Sequence, residues 1–194
     1  MEDELVQREK KIQSILAEEI EDGAELASAA RRGATQMLNA KGYAASDISA
    51  NVVFEVALGA ETVLSSVDFL ISLNNRPAMV IKCAAGALSS RERQVVAAAR
   101  VIRDAPVPVA VVMDPMNAVV LDSLTGKVTG EGFASIPTRE QLAALVAGKE
   151  YKPMPADKLE REKRVLLAFD AIQCSVPRGG DGGVAIGEPE AGKS

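Results

Sequence analysis

The chain has 194 residues, 47% of them hydrophobic, and a formal net charge of -5 at pH 7. A chain of this size and hydrophobic content can bury the core of one ordinary domain, which excludes a fully disordered protein. The net negative charge repels phosphate backbones, so any contact with nucleic acid requires a local basic patch.

The sequence contains no histidine, which excludes Ser-His-Asp and Cys-His catalysis and the common histidine-containing zinc sites. Its two cysteines form no metal-type cluster, and Cys83 is predicted to be a small buried hydrophobic residue. The longest apolar runs are too short or too interrupted by proline to cross a bilayer, and the acidic start lacks the basic region of a signal peptide. A cytoplasmic protein without membrane contacts is expected.

The first half of the chain predicts helices followed by strands. Residues 1–23 predict an amphipathic N-terminal helix that ends near Gly23, and a second helix is predicted from about Ala24 to Ala40. Three strand-like runs separated by turns then predict an antiparallel meander: Asn51–Leu58, Ser65–Leu73 and Ala78–Ala84.

The second half predicts a crossover and a closing set of helices. A helix over Ser89–Asp104 between two buried strands, the later one at Val107–Met113, implies a parallel strand pair. A hairpin begins at Ala118–Asp122, and a short helix covers Thr138–Ala147. The predicted organisation is an N-terminal helix over 1–23, an α/β domain over 24–150, a C-terminal helix over 151–174 and a flexible tail over 175–194.

The second and third strand-like runs carry the charged residues of interest. Asp68 lies in the second run and Lys82 in the third. An acid on one strand followed by acid-x-lysine on the next is common in restriction-type nucleases. Because residues two apart on a strand face the same side, two carboxylates can hold Mg²⁺ while the lysine orients the attacking water.

The order of motifs from about Ala24 to Val128 resembles the N-terminal domain of type I restriction enzyme R subunits, in the PD-(D/E)xK superfamily. The similar positions are Arg31-Arg32, Leu38, Lys41-Gly42-Tyr43, Asp47-Ile48, Val67-Asp68, Val80 to Cys83, Gln94 and Val107 to Met113. The resemblance implies a restriction-endonuclease-like α/β fold, with a mixed β-sheet flanked by helices, in a domain whose relatives cut DNA with Mg²⁺.

The match at the family's catalytic positions is uneven. Asp68 matches the metal-binding aspartate, and Gln94 matches the glutamine of the following helix. Lys82 stands where the family has glutamate, Ala84 where it has lysine, and Ala98 where it has tyrosine. Because an ammonium repels a cation that a carboxylate attracts, ordinary two-carboxylate Mg²⁺ binding is expected to fail.

Two interpretations of these charges remain open. In one, Glu55 on the neighbouring strand replaces the missing carboxylate. The active site then consists of Asp68, Glu55, Lys82 and Gln94, with Mg²⁺ held by Asp68 and Glu55. In the other, Asp68 and Lys82 form a plain cross-strand salt bridge that needs no metal.

Three functions follow from these interpretations. The first is a stand-alone, catalytically degenerate nuclease-like domain that contacts DNA or a protein. The second is an active Mg²⁺-dependent deoxyribonuclease with the rearranged site. The third is a small assembly protein that forms homodimer or partner contacts through its terminal helices, without nucleic acid. R subunits normally carry a helicase motor, and no motor motif is present here, so restriction would need a partner.

The basic residues near the C terminus predict little by themselves. Lys158, Arg161, Lys163 and Arg164 alternate with Asp157, Glu160 and Glu162. Their charges are expected to cancel locally on a solvated helix face.

Overall fold

The computed structural model describes the backbone of residues 2–174, and the side chains of residues 21–170 together with Gln7, Lys11 and Ser14. The predicted tail over 175–194 lies outside the described residues. The helices are α1 (Glu2–Ala40), α2 (Ser89–Val101), α3 (Arg139–Val146) and α4 (Ala156–Cys174). The strands are β1 (Ile48–Leu58), β2 (Glu61–Leu73), β3 (Arg76–Cys83), β4 (Val109–Met113), β5 (Ala118–Asp122) and β6 (Val128–Glu131). No helix in this range is both long enough and apolar enough to cross a membrane.

The six strands form one mixed sheet in the order β1-β2-β3-β4-β5-β6. The strands β3 and β4 are parallel and the other neighbouring pairs are antiparallel. The connection between β3 and β4 runs through α2, as the alternation of apolar runs predicts. The predicted α/β fold with a mixed sheet flanked by helices is therefore confirmed.

Helices cover both faces of the sheet. On one face, a buried cluster joins Ala30, Ala34 and Leu38 of α1 and Leu142 of α3 to the strands. On the other face, the buried side of α2 and Leu166 of α4 pack against the strands. Because Leu166 is fully buried, α4 contributes to the core of the domain.

The predicted end of the first helix near Gly23 is wrong, because α1 is one continuous helix of 39 residues. Helix-forming residues flank Gly23 on both sides, and a single internal glycine costs only about 1 kcal/mol relative to alanine. A Cβ added to Gly23 would lie 3.6 Å from the Ala85 Cβ, which is an ordinary van der Waals contact, so α1 passes close to the end of β3 without requiring glycine there.

The sheet is irregular where Asp68 is located. The β1–β2 register pairs Ala50 with Phe69 and then Val52 with Val67. Asn51, which stands opposite Asp68 between these pairs, adopts a φ of 52°, in the left-handed region. The β2–β3 ladder ends at the pair of Phe69 with Ile81, one residue before Asp68 and Lys82. The strands therefore separate at this point and leave room for a cavity.

Candidate functional site

A cavity of about 310 Å³ opens where β2 and β3 separate, between the middle of α1 and the start of α2. Its walls carry three cationic side chains and one carboxylate, with further polar and small residues around them. The lining residues are Gly23, Ala27, Arg31, Ser66, Asp68, Lys82, Cys83, Ala84, Ala85, Arg91 and Gln94. The cavity therefore contains three of the four predicted site residues.

Asp68 is buried, and both of its carboxylate oxygens have partners. The Cys83 backbone N–H donates to Oδ2 at 2.7 Å, which replaces a strand-to-strand hydrogen bond beyond the end of the β2–β3 ladder. Arg31 on α1 donates from Nη1 to Oδ1 at 3.1 Å. The negative charge of Asp68 is therefore balanced by a guanidinium from a helix 37 residues earlier in the chain.

Lys82 does not form the predicted salt bridge with Asp68. Its Nζ donates to the backbone oxygen of Ser66 at 2.9 Å and lies 3.4 Å from the Ser66 hydroxyl. A carbonyl and a hydroxyl are neutral acceptors, so neither hydrogen-bond partner offsets the positive charge of the ammonium. The prediction failed because Arg31, which is remote in sequence, takes the place at Asp68 that an adjacent strand was expected to fill.

Gln94 connects the cavity to α4. Its Oε1 accepts a hydrogen bond from Arg91 Nη1 at 3.2 Å, and its Nε2 lies 3.5 Å from Asp170 Oδ1. The Arg91 guanidinium stands 5.8 Å from the centre of the Phe169 ring, within the range of a cation–π interaction. The packing of α4 on α2 therefore fixes two side chains that line the cavity.

Glu55 does not lie at this site. It is exposed on β1 and pairs with Leu64, four residues along β2 from Asp68. At about 3.4 Å per residue, this separation is roughly 14 Å along the strand. The structure thus brings Asp68, Lys82 and Gln94 together but leaves Glu55 outside.

Ala84 and Ala98, which stand where the resemblance implies lysine and tyrosine, are both buried. Ala84 is 5% exposed and touches both the cavity and the core beneath α2, whereas Ala98 is buried in that core one turn after Gln94. Neither side chain can ionise or donate a hydrogen bond. The positions of the family's lysine and tyrosine therefore contribute only packing here.

The residues at this site do not fit the Mg²⁺ that the resemblance implies. Magnesium is held by carboxylates and other oxygen ligands, and it requires them to be available to the ion. Asp68, the one carboxylate among the described residues that line the cavity, is already paired, and three cations surround the same space. Among the side chains of residues 21–170, no group of three or more potential metal ligands of the His, Cys, Asp or Glu type is present.

The Cys83 thiol behaves as the predicted buried hydrophobic group. Burial, with a further contribution from the charge of Asp68, raises its pKa to about 12. The thiol therefore stays protonated at neutral pH and is not a nucleophile. It packs against the core beneath α1.

Sequence reasoning missed two of the three cations in the cavity. Arg91 precedes Gln94 by three residues on one helix, and side chains at that spacing share a helix face. That spacing could have predicted that Arg91 lies beside Gln94 at the site. Arg31 belongs to the family pattern, but its contact with Asp68 depends on how α1 crosses the sheet, which no local pattern encodes.

Comparison with known proteins agrees with this architecture. The family model that matches is described as the type I restriction enzyme R protein N terminus, and it covers residues 30–137. The matched range holds Arg31, Asp68, Lys82 and Gln94 and amounts to more than half of the chain. Comparison with curated proteins and with solved structures gave no match. The chain therefore belongs to the family of type I restriction enzyme R protein N-terminal domains.

Proposed function

We propose that this domain binds DNA through the cavity around Asp68 and does not cleave it with Mg²⁺. The observation that carries the proposal is the pairing of Asp68 with Arg31, together with Lys82 at the position of the second carboxylate. A site that binds a divalent cation has carboxylates that are free to coordinate it. The Asp68 cavity instead has a paired carboxylate and three cationic side chains.

The charge of the cavity favours a phosphate group as its ligand. Among the described lining residues, the cations Arg31, Lys82 and Arg91 outnumber the carboxylate of Asp68 by three to one. The Arg31 side chain is 43% exposed, so it can donate to an incoming anion while it keeps its contact with Asp68. Guanidinium and ammonium groups in this combination are typical of contacts to DNA phosphates.

The same arrangement argues against hydrolysis. Cleavage of a phosphodiester in this family would need a metal ion to stabilise charge on the phosphate and a group to activate water. Ala84 supplies no such group, and Asp68 is committed to Arg31 and to the Cys83 N–H. The proposed role is therefore recognition of DNA in a domain related to restriction enzymes.

Binding of a fluorescent DNA duplex in the presence of EDTA tests this proposal. We expect wild-type protein to bind and Lys82→Gln to bind about tenfold more weakly at low salt, because one phosphate contact is lost. The slope of log affinity against log salt concentration should fall by about 1 for that contact. Fluorescence anisotropy between about 50 and 200 mM salt gives both quantities.

Lys127→Gln is the matched control for this measurement. Lys127 is exposed between β5 and β6, does not line the cavity, and its replacement changes the net charge by the same amount. Equal binding by Lys82→Gln and Lys127→Gln would contradict a role for the cavity in DNA binding.

A further inference from the structure

A second positively charged depression lies on the other flank of α2. This cleft of about 500 Å³ is formed by α2, the start of α4 and the segment 152–155. Its charged residues are Arg93, Arg100, Lys152, Lys158, Arg161 and Glu162. Five cations and one carboxylate thus face the same space.

Glu162 pairs with Arg93 and Arg100 and with none of the other three cations of this cleft. It is only 5% exposed and accepts hydrogen bonds from Arg93 at 2.6 Å and from Arg100 at 2.7 Å. Arg100 also donates to the backbone oxygens of Ser123 and Leu124. The carboxylate and Arg100 therefore serve to join α2 and α4, and they leave the cleft with a positive charge at its surface.

The local cancellation of charge expected along α4 is only partial. Glu160 pairs with Arg164, one turn later on the same helix, and Glu162 turns toward α2. Lys158 and Arg161, three residues apart, both line the cleft, and neither forms an ion pair with any side chain that the structure describes. Lys152, on the adjoining segment, is exposed in the same cleft and has no ion pair among the described side chains of residues 21–170.

The overall acidity of the chain is not spread over the folded body. Residues 2–25 contain nine acidic and three basic side chains, whereas residues 26–174 contain 17 basic and 15 acidic ones. The repulsion of phosphate expected from the net charge therefore originates mainly in the first part of α1. A polyanion that approaches α2 and α4 meets a surface that is locally positive.

The cleft and the Asp68 cavity are separated by α2. Arg91 and Gln94 line the cavity, and Arg93 and Arg100 line the cleft. A helix is about 10 Å wide, and each DNA strand carries a phosphate for about every 3.4 Å of duplex axis. A duplex that passes over α2 can therefore contact both positive sites.

We propose that this cleft is a second DNA contact, in which Lys152, Lys158 and Arg161 bind the phosphodiester backbone. The inference rests on the proposed function in that the domain binds DNA, and the cavity and the cleft are separate contacts to the same duplex. Pro153 and Pro155 fix the backbone of the segment that carries Lys152, so less conformational freedom is lost when the cation is placed against a phosphate.

The test compares two triple variants by the anisotropy titration in EDTA. Lys152→Gln/Lys158→Gln/Arg161→Gln removes the exposed charges of the cleft. Lys41→Gln/Lys127→Gln/Lys149→Gln removes the same charge at residues that line neither the cavity nor the cleft. We expect the cleft variant to bind at least about tenfold more weakly than the control and to lower the salt slope by about 3, one for each phosphate contact.

The outcomes separate this inference from the proposed function. Equal DNA affinity of both triple variants, with weaker binding by Lys82→Gln, would contradict a DNA contact at the cleft and support one at the cavity. Weaker binding by the cleft variant alone would support the contact at the cleft and contradict the one at the cavity. No DNA binding by wild-type protein would contradict both contacts.

Light scattering of the same samples tests whether a second copy of the chain, and not DNA, occupies the cleft. The acidic N-terminal part of α1 in a second copy has the charge to enter the cleft. A dimer of wild-type protein that becomes monomeric in the cleft variant, with unchanged DNA affinity per chain, would overturn the assignment to DNA.

Discussion

Arg31→Ala/Lys82→Glu is expected to bind Mn²⁺ with a dissociation constant on the order of 1 mM, whereas wild-type protein shows no saturable binding. Removal of Arg31 frees Asp68 Oδ1, and the second substitution places a carboxylate at the family position beside it. The formal charge of the cavity lining changes by three units toward negative. Electrostatic attraction of a divalent cation then replaces repulsion. Calorimetric titration with Mn²⁺ and Mg²⁺ measures the effect.

A double variant outside the cavity supplies the control for this result. Arg32→Ala/Lys127→Glu makes the same change in net charge, but Arg32 is exposed and contacts Ser28 instead of Asp68. Metal binding by this control at the same affinity would show that overall charge, and not the cavity, attracts the ion. Absence of binding in Arg31→Ala/Lys82→Glu would contradict the role assigned to the Arg31–Asp68 pair.

Glu162→Gln is expected to lower the free energy of unfolding by about 3 kcal/mol at pH 7, measured by urea denaturation. The substitution removes the partner of Arg100, which is 13% exposed, and leaves a nearly buried guanidinium without its counter-charge. The loss falls at the lower end of the range for broken buried ion pairs, because Arg100 keeps its contacts to two backbone oxygens.

Glu160→Gln is the matched control on the same helix. Its pair with Arg164 is an exposed contact between residues four apart, so the expected loss is only about 0.5 kcal/mol. Equal losses in the two variants would contradict the account of Glu162 as the link between α2 and α4.

The effect of Glu162 also depends on pH. Burial raises the pKa of this carboxyl, but the hydrogen bond from Arg93 and the charge of Arg100 outweigh burial and hold the pKa below its ordinary value of 4.5. A carboxyl whose pKa is lowered in the folded state stabilises the protein above its unfolded pKa and loses this contribution as pH falls through the folded value. The difference between wild type and Glu162→Gln is therefore expected to shrink below about pH 4.5.

The fold was largely predictable because the sheet is built from apolar runs bounded by clear turns. The order of β3, α2 and β4 required a parallel crossover, and the central strands are buried on both faces as their continuous apolar character indicates. The termini of elements were less predictable. Gly23 looked like a helix end but is tolerated within α1, since helix-forming residues surround it.

The site was predictable only where residues lie on neighbouring elements. Asp68, Lys82 and Gln94 were identified from strand and helix positions, and the structure places them around one cavity. The contact of Asp68 with Arg31 was not predicted, because a contact between residues 37 apart depends on the path of α1 over the sheet. Glu55 lies on the strand next to that of Asp68, but the register of the two strands places it opposite Leu64, away from Asp68. The sequence patterns did not specify this register.

The most direct test of the central claim is incubation of supercoiled plasmid with wild-type protein and Asp68→Ala, in Mg²⁺ and in Mn²⁺, alongside calorimetric metal titrations. Our account predicts no saturable metal binding, intact plasmid in every sample, and DNA binding that does not require a divalent ion. Metal-dependent cleavage by wild-type protein that disappears in Asp68→Ala would contradict it and would establish a functioning nuclease site.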